Sequence, residues 1–354
     1  MKNKKLKKRF RGLPFCILHF ALCLAASACD GAPSLPTLHY FTWSDYVGPE
    51  IVAEFERIEG VRIVVDTFGS NEELLAKLQT GATGYDVAVP SDFMVPILRG
   101  EGLLADLDVS AIPNIGELDS HLEHLPFDPD HRVSVPYLWG TVGIGYDAAV
   151  VTPAPDSWAA LWDERYRGKV SMLNDQREVL GATLKSLGHS LNSADRAAIA
   201  AAKQKLVAQK PLVRTYTSEN YDHLLATGDV WLAHGWGGAV ARAMAERPSI
   251  RYVIPKEGGT IWADCLVVLA ASPRKQLAYR FVNYLLDAHV AARTTERLLF
   301  ASANGRAREL VPASVRENPA VYPPESAMSR LEWMRDVGVA IRLYDRAWTE
   351  LKMY

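Results

Sequence analysis

Two short stretches of this chain set aromatic rings beside a carboxylate, and a third pairs two carboxylates. FTWSDY brings Trp43, Asp45 and Tyr46 together, IWAD alternates Trp262 with Asp264, and LNDQREV holds Asp175 and Glu178 three apart. A fourth stretch, WLAHGWGGA, presents Trp236 in a glycine-rich run. A carboxylate pairs with an ammonium head, while an aromatic face attracts the charge and covers the methylenes attached to it. The set therefore suits a slender organic cation. Each stretch also has a plainer reading. Asp45 can start a helix with Trp43 in the core, and Asp175 with Glu178 has the spacing of a capping box, in which one oxygen caps and the other still meets a ligand. Recurrence of ring and acid after strands is what raises the set above its members.

Those residues need strands to carry them and helices to hold the strands. Leu38 to Trp43 and Val61 to Phe68 read as strands, with a helix from Pro49 to Glu59 between them. Asn71 to Thr80 reads as a helix capped by Asn71 and ended by Gly81. Asp86 to Pro90 reads as a buried strand ending in a turn, and Ala111 to Pro136 as mostly loop. Further helices fit Ala194 to Ala208 and Pro273 to Arg297, the second capped by Ser272, and Val230 to Ala233 and Cys265 to Ala270 read as strands. This alternation predicts an α/β fold with parallel or mixed sheets covered by helices, and ligand groups beyond the carboxyl ends of strands. Trp236 then falls in a turn after one strand, and Trp262 with Asp264 just before another. No internal repeat interrupts the pattern.

The 354 residues are 49% hydrophobic and 23% charged, which excludes a disordered tail and a disulfide miniature. Lys2, Lys4, Lys5, Lys7, Lys8, Arg9 and Arg11 precede the apolar run from Phe15 to Ala26, and no acid occurs before Asp30. A basic block followed by an apolar run too short to span a bilayer reads as an export signal, residues 1–28, with a short tether over 29–37. Small residues before Cys29 match a cleavage site and resemble a lipoprotein box, which would place a lipid anchor on Cys29 and tie the protein to a membrane. Removing the signal leaves 32 basic against 41 acidic residues, a net of −9 that disfavours nucleic acid and welcomes a cation. Cys16 and Cys23 leave with the signal, so Cys265 has no intrachain disulfide partner once Cys29 carries lipid. The stretch with His121, His124, His131, Asp128 and Asp130 matches no metal-ligand template and reads as a solvated loop. Catalytic motifs such as HExxH, GxSxG, a phosphate loop or CxxC do not occur.

With these residues in view, the chain resembles the periplasmic spermidine/putrescine-binding proteins of polyamine ABC transporters. The likeness runs from about Leu38 to Lys352 and is carried by FTWSDYV, FGSNEELLAKL, YDVAVPS, VPYLWGTVGIGYD, IPKEGGTIWAD, VRENPAVYPP and RAWTELK. The resemblance implies a two-lobed periplasmic-binding-protein fold of type II, with mixed sheets flanked by helices and a ligand cleft between the lobes. Lobe 1 is expected over 38–140 and 263–308, and lobe 2 over 141–262 and 309–354. It implies a pocket of Trp43, Ser44, Asp45, Tyr46, Ser91, Phe93, Asp175, Glu178, Trp236, Trp262, Asp264 and Tyr322. In it Asp45, Glu178 and Asp264 would pair with ammonium groups, and Trp43, Trp236, Trp262 and Tyr322 would line the methylenes. Departures at Ala239, Met334 and Phe93 leave putrescine and spermidine as competitors. The implied role is a non-enzymatic importer component that delivers a polyamine to an inner-membrane permease, without cofactor or metal. The alternative is a polyamine or cationic-amine sensor acting on a membrane receptor.

Overall fold

The computed structural model describes residues 35–44, 46–81 and 84–353. The export signal, Cys29 and Asp45 lie outside them. Strand β1 (Thr37–Trp43) runs parallel to β2 (Arg62–Phe68) and to the short β3 (Val87–Ala88). Between β1 and β2, α1 (Pro49–Glu59) starts with proline in its first turn and ends at Gly60, whose φ of +63° suits a residue without Cβ. Ile51 and Phe55 form its buried stripe. Helix α2 (Asn71–Gln79) returns the chain from β2, and α3 (Met94–Gly100) follows β3.

The longest strand, β4 (Val135–Asp147), is buried throughout and serves two sheets. Its first half, to Thr141, lies between β9 (Thr260–Val268) and β10 (Ala301–Ser302). Its second half, from Val142, lies between β7 (Leu232–Trp236) and β8 (Ile250–Val253). Beyond β7 come β5 (Val170–Met172) and β6 (Val213–Tyr216), both parallel, and β11 (Glu332–Trp333) pairs with the start of β9. The order β2-β1-β3-β9-β4-β7-β5-β6 is a mixed α/β arrangement in which β4 and β9 carry the chain from one half to the other. Helices α4 (Gln176–Ser186), α5 (Arg196–Gln209), α6 (Tyr221–Thr227) and α7 (Gly237–Glu246) cover the second half. Helices α8 (Lys275–Leu285) and α9 (Ala288–Leu298) cover the first. Among the described residues no helix is long and apolar enough to cross a membrane.

Several local expectations change. Ser70, not Asn71, caps α2 by accepting from the Glu73 backbone N–H; Asn71 turns inward instead. The stretch Pro273 to Arg297 is two helices, because Asp287 breaks the run and caps α9 by accepting from His289 and Val290 N–H. Ser272 does not cap α8; its hydroxyl donates to buried Asp86 at 2.6 Å, and the helix opens after Arg274. Strand β9 begins at Thr260 rather than Cys265, so Trp262 and Asp264 lie inside it. Strand β7 runs from Leu232 to Trp236 rather than from Val230 to Ala233, and β3 keeps only two of the five residues from Asp86 to Pro90. Within the His121 stretch, Asp128 and His131 are buried rather than solvated. Asp128 accepts from Arg132, Val133 and Ser134 N–H and from the Ser134 hydroxyl, so it is the organiser of a turn.

Candidate functional site

The centre of the site is β9. Side chains alternate along a strand, so Thr260, Trp262 and Asp264 share one face. At one end Asp264 is 5% exposed and accepts two hydroxyl donors, Tyr46 at 2.5 Å and Ser91 at 2.6 Å. Asn71 fixes Ser91 by a reciprocal pair, its Nδ2 donating to Ser91 Oγ at 3.1 Å and its Oδ1 accepting from Ser91 N–H at 3.0 Å. At the other end Glu178, also 5% exposed, accepts from the Thr260 hydroxyl at 2.7 Å. Its own N–H donates to Asp175 Oδ1 at 3.0 Å, so Asp175 is the cap of α4 and Glu178 is the carboxylate turned inward.

Trp262 stands between these ends, over Gly140 of β4. A Cβ at Gly140 would come within 2.7 Å of the indole, so glycine is the residue that lets the ring lie there. Trp236, the last residue of β7, pairs with Val142, so the two indoles flank β4 two residues apart. Tyr221 holds the Trp236 backbone by accepting its N–H at 3.0 Å and donating to its carbonyl at 3.2 Å. Trp43 packs on Phe68 at 4.5 Å between ring centroids and lies 6.4 Å from Tyr46. The indole N–H groups of Trp43 and Trp262 are both buried without a protein partner.

Not every candidate joins this centre. Ser44 is exposed in the turn after β1, and Phe93 is half-buried at the start of α3, donating its N–H to Asp92 at 2.6 Å. Tyr322 is buried with the Arg308 guanidinium 4.7 Å over its ring, so a protein cation already covers one aromatic face. Two residues were missed in the sequence. Asp92 is buried and accepts from Ala263 N–H at 3.3 Å, between Trp262 and Asp264; its place directly after Ser91 was the available signal. Phe300 sits edge-on to Trp262 at 5.2 Å and lies 6.3 Å from Tyr46, and nothing in its local sequence marked it. An open depression of about 250 Å³ lined by Pro155, Asp163, Arg165 and Tyr166 contains none of these residues. Among the described residues no group of three or more His, Cys, Asp or Glu side chains is placed to hold a metal ion.

Residues 50–323 match the bacterial extracellular solute-binding protein family. The chain belongs to that family. It is 35% identical over 334 residues to the spermidine/putrescine-binding periplasmic protein of Escherichia coli K12, covering 94% of this chain and 96% of that one. It is 36% identical over 350 residues to the putrescine-binding periplasmic protein PotF of the same organism, covering 93% and 95%. The solved structure of the spermidine/putrescine ABC transporter substrate-binding protein PotD from Streptococcus pneumoniae superimposes with a TM-score of 0.82 at 31% identity, over 90% of this chain and 99% of that one. The fold is accordingly that of the periplasmic binding proteins.

In this solute-binding protein the electrostatics of the two ends differ. Burial raises Asp264 to about 6, held down by the Ser91 and Tyr46 hydroxyls. Burial, then the neighbouring Asp175, raises Glu178 to about 8, with the Thr260 hydroxyl opposing. Burial also raises Asp92 to about 8, against its two backbone N–H donors. Burial and the Asp264 charge push Tyr46 well above the usual phenol range, so it remains a donor. Neither Asp264 nor Glu178 takes part in an ion pair among the described residues, and hydroxyl donors serve each instead.

Proposed function

We propose that this chain is the extracytoplasmic substrate-binding component of a polyamine importer, which grips the polycation between two lobes and delivers it to an inner-membrane permease. One observation carries the reading. Two buried carboxylates served by hydroxyl donors stand at the ends of one strand face, with an indole between them. That arrangement matches ammonium groups joined by methylenes, and the spermidine/putrescine- and putrescine-binding relatives support the same class. Asp264 and Glu178 bind the charged ends, Trp262 covers the chain between them, and Trp43 and Trp236 wall the cleft. Asp45, which lies outside the described residues, is proposed to pair with an ammonium group as the resemblance implies, and Ser44, Phe93 and Tyr322 belong to the same proposed pocket.

The lobes are proposed to divide at 140/141, 262/263 and 308/309, and the change of partners along β4 at Thr141 and Val142 supports the first of these divisions. Closure of one lobe on the other around the ligand is the transport-competent event. Export through residues 1–28 and lipid attachment at Cys29 belong to the same proposal. A thermal-shift panel of putrescine, cadaverine, spermidine, spermine and agmatine tests it, because a ligand that binds only the native state raises the apparent melting temperature. At least one linear polyamine raises it in a saturable way. A flat response to all five, repeated by calorimetry, contradicts the reading.

A further inference from the structure

Helix α4 turns Glu178 into the site, and the same helix grips a stretch of chain from β11 to Arg335. At one end of that stretch Glu332 accepts from the Lys185 ammonium at 2.7 Å and from the Ser190 hydroxyl at 2.5 Å. At the other end the Arg177 guanidinium donates twice to the Arg335 carbonyl, at 3.1 and 3.2 Å, and once to Asn192 Oδ1 at 3.1 Å. Asn192 closes the clamp. Its Oδ1 also accepts the Arg335 N–H at 2.8 Å, and its Nδ2 donates to the Trp333 carbonyl at 2.9 Å. The buried Tyr344 ring faces the guanidinium at 5.0 Å. A planar fork of donors makes several such bonds in one fixed orientation, which a single ammonium does not reproduce.

The clamped stretch has neighbours in two directions. Glu332 pairs with Thr260, whose hydroxyl serves Glu178, and Trp333 pairs with Ile261. The Trp333 ring meets Phe127 edge to face, with centroids 6.0 Å apart and planes at 69°. Phe127 directly precedes Asp128, the organiser of the turn that leads to β4. By the division proposed above, Phe127 lies in lobe 1, whereas Arg177, Asn192 and Trp333 lie in lobe 2. The ring pair is therefore a contact between lobes, and neither ring belongs to the proposed pocket.

We infer that Arg177 is a positioning residue for ligand capture: its guanidinium holds Trp333 against Phe127, so that the helix bearing Glu178 and the segment meeting the opposite lobe close as one body. This inference rests on the polyamine reading and on the lobe division. Arg177 acts through Trp333 and not on the ligand. It also stands directly before Glu178, where burial chiefly raises the carboxyl and the Arg177 charge is among the influences that lower it. Charge and fork must therefore be separated, and lysine keeps the first while losing the second.

Calorimetry with the tighter binding of putrescine and spermidine tests this on the wild type, Arg177→Lys, Phe127→Ala and the double variant, each shown to be folded by a cooperative thermal transition. Each single change weakens binding by about tenfold, and the double variant loses about tenfold rather than about a hundredfold, because both changes remove one shared contact. Asn192→Ala, which opens the same clamp, replaces Arg177→Lys in the cycle if the lysine variant does not fold. Wild-type affinity in the folded clamp variants, or losses that multiply in the double variant, overturns the inference and leaves the polyamine reading intact. Absence of binding by the wild type to both amines overturns both.

Discussion

Two buried aspartates on neighbouring strands meet opposite fates. Asp86, at the start of β3, accepts from His39 N–H and the Ser272 hydroxyl and lies 3.0 Å from the Arg274 guanidinium. Asp264, in the adjacent β9, accepts the hydroxyls of Tyr46 and Ser91 and has no ion-pair partner among the described residues. Both are almost fully buried. A buried charge is costly unless it is paired, so Asp86 is satisfied by the fold, whereas Asp264 has no basic partner among the described residues and is the proposed seat of a cation. Asp147, with Arg247 at 2.6 Å, falls with Asp86; Glu178, with Thr260 alone, falls with Asp264. Burial of acids is thus common to both regions; of these four, the two with an arginine partner are satisfied by the fold and the two without one face the proposed site.

The contrast is sharpest under substitution. Arg274→Ala leaves buried Asp86 with only the His39 N–H and the Ser272 hydroxyl, and should destabilise the protein by about 1 to 3 kcal/mol without changing affinity for polyamine, as measured by denaturant unfolding beside calorimetry. Asp264→Asn removes a charged partner of the ligand and should weaken binding by roughly 10- to 100-fold, the worth of a charge-assisted hydrogen bond. If Arg274→Ala weakens binding as much as Asp264→Asn does, the distinction fails.

Acidity separates the regions next. Asp264 at about 6 and Glu178 at about 8 bind protons in the folded protein that the unfolded chain releases near pH 4. The folded, ligand-free protein therefore loses stability as pH rises from about 4 to 8, because it holds more protons than the unfolded chain across that window. A bound ammonium favours the ionised carboxylates, so affinity rises over the same range and should gain roughly tenfold between pH 7 and 8.5. Calorimetry at several pH values checks the gain; an affinity that falls above pH 7 breaks the account. Glu178→Gln should cost about threefold at pH 6 and more at pH 8.5, where the carboxylate is ionised, and an equal cost at both values would show that its charge is not used. Gly140→Ala should give the smallest effect, a loss of a few-fold, by moving the Trp262 indole against which methylenes pack.

Much of this was legible in the chain. The first β-α-β unit is strongly periodic and its helix is bounded by Pro49 and Gly60, so α1 was read to the residue and β1 and β2 to within one. Strand β4 escaped because Pro136, Gly140, Gly143 and Gly145 look like breakers. Three of these are glycine because Trp262, Tyr252 and Val240 occupy the space where a Cβ would stand, and that reason lies in residues roughly 100 positions away. Tertiary placement also hid Phe300, which is an ordinary helix-end phenylalanine until the fold sets it against Trp262. Asp175 and Glu178 could not be separated by spacing; hydrogen bonding assigns the first to the cap and turns the second inward. The acids themselves were visible, but their lack of basic partners was not, since pairing with arginine is a property of the folded chain.

Proton release tests the central claim most directly. Titrating putrescine or spermidine at pH 7.5 in two buffers of different ionisation enthalpy gives the number of protons lost on binding. The account predicts that most of one proton is released, chiefly from Glu178, and that the number falls in Glu178→Gln. Binding with no net proton exchange in the wild type would contradict it.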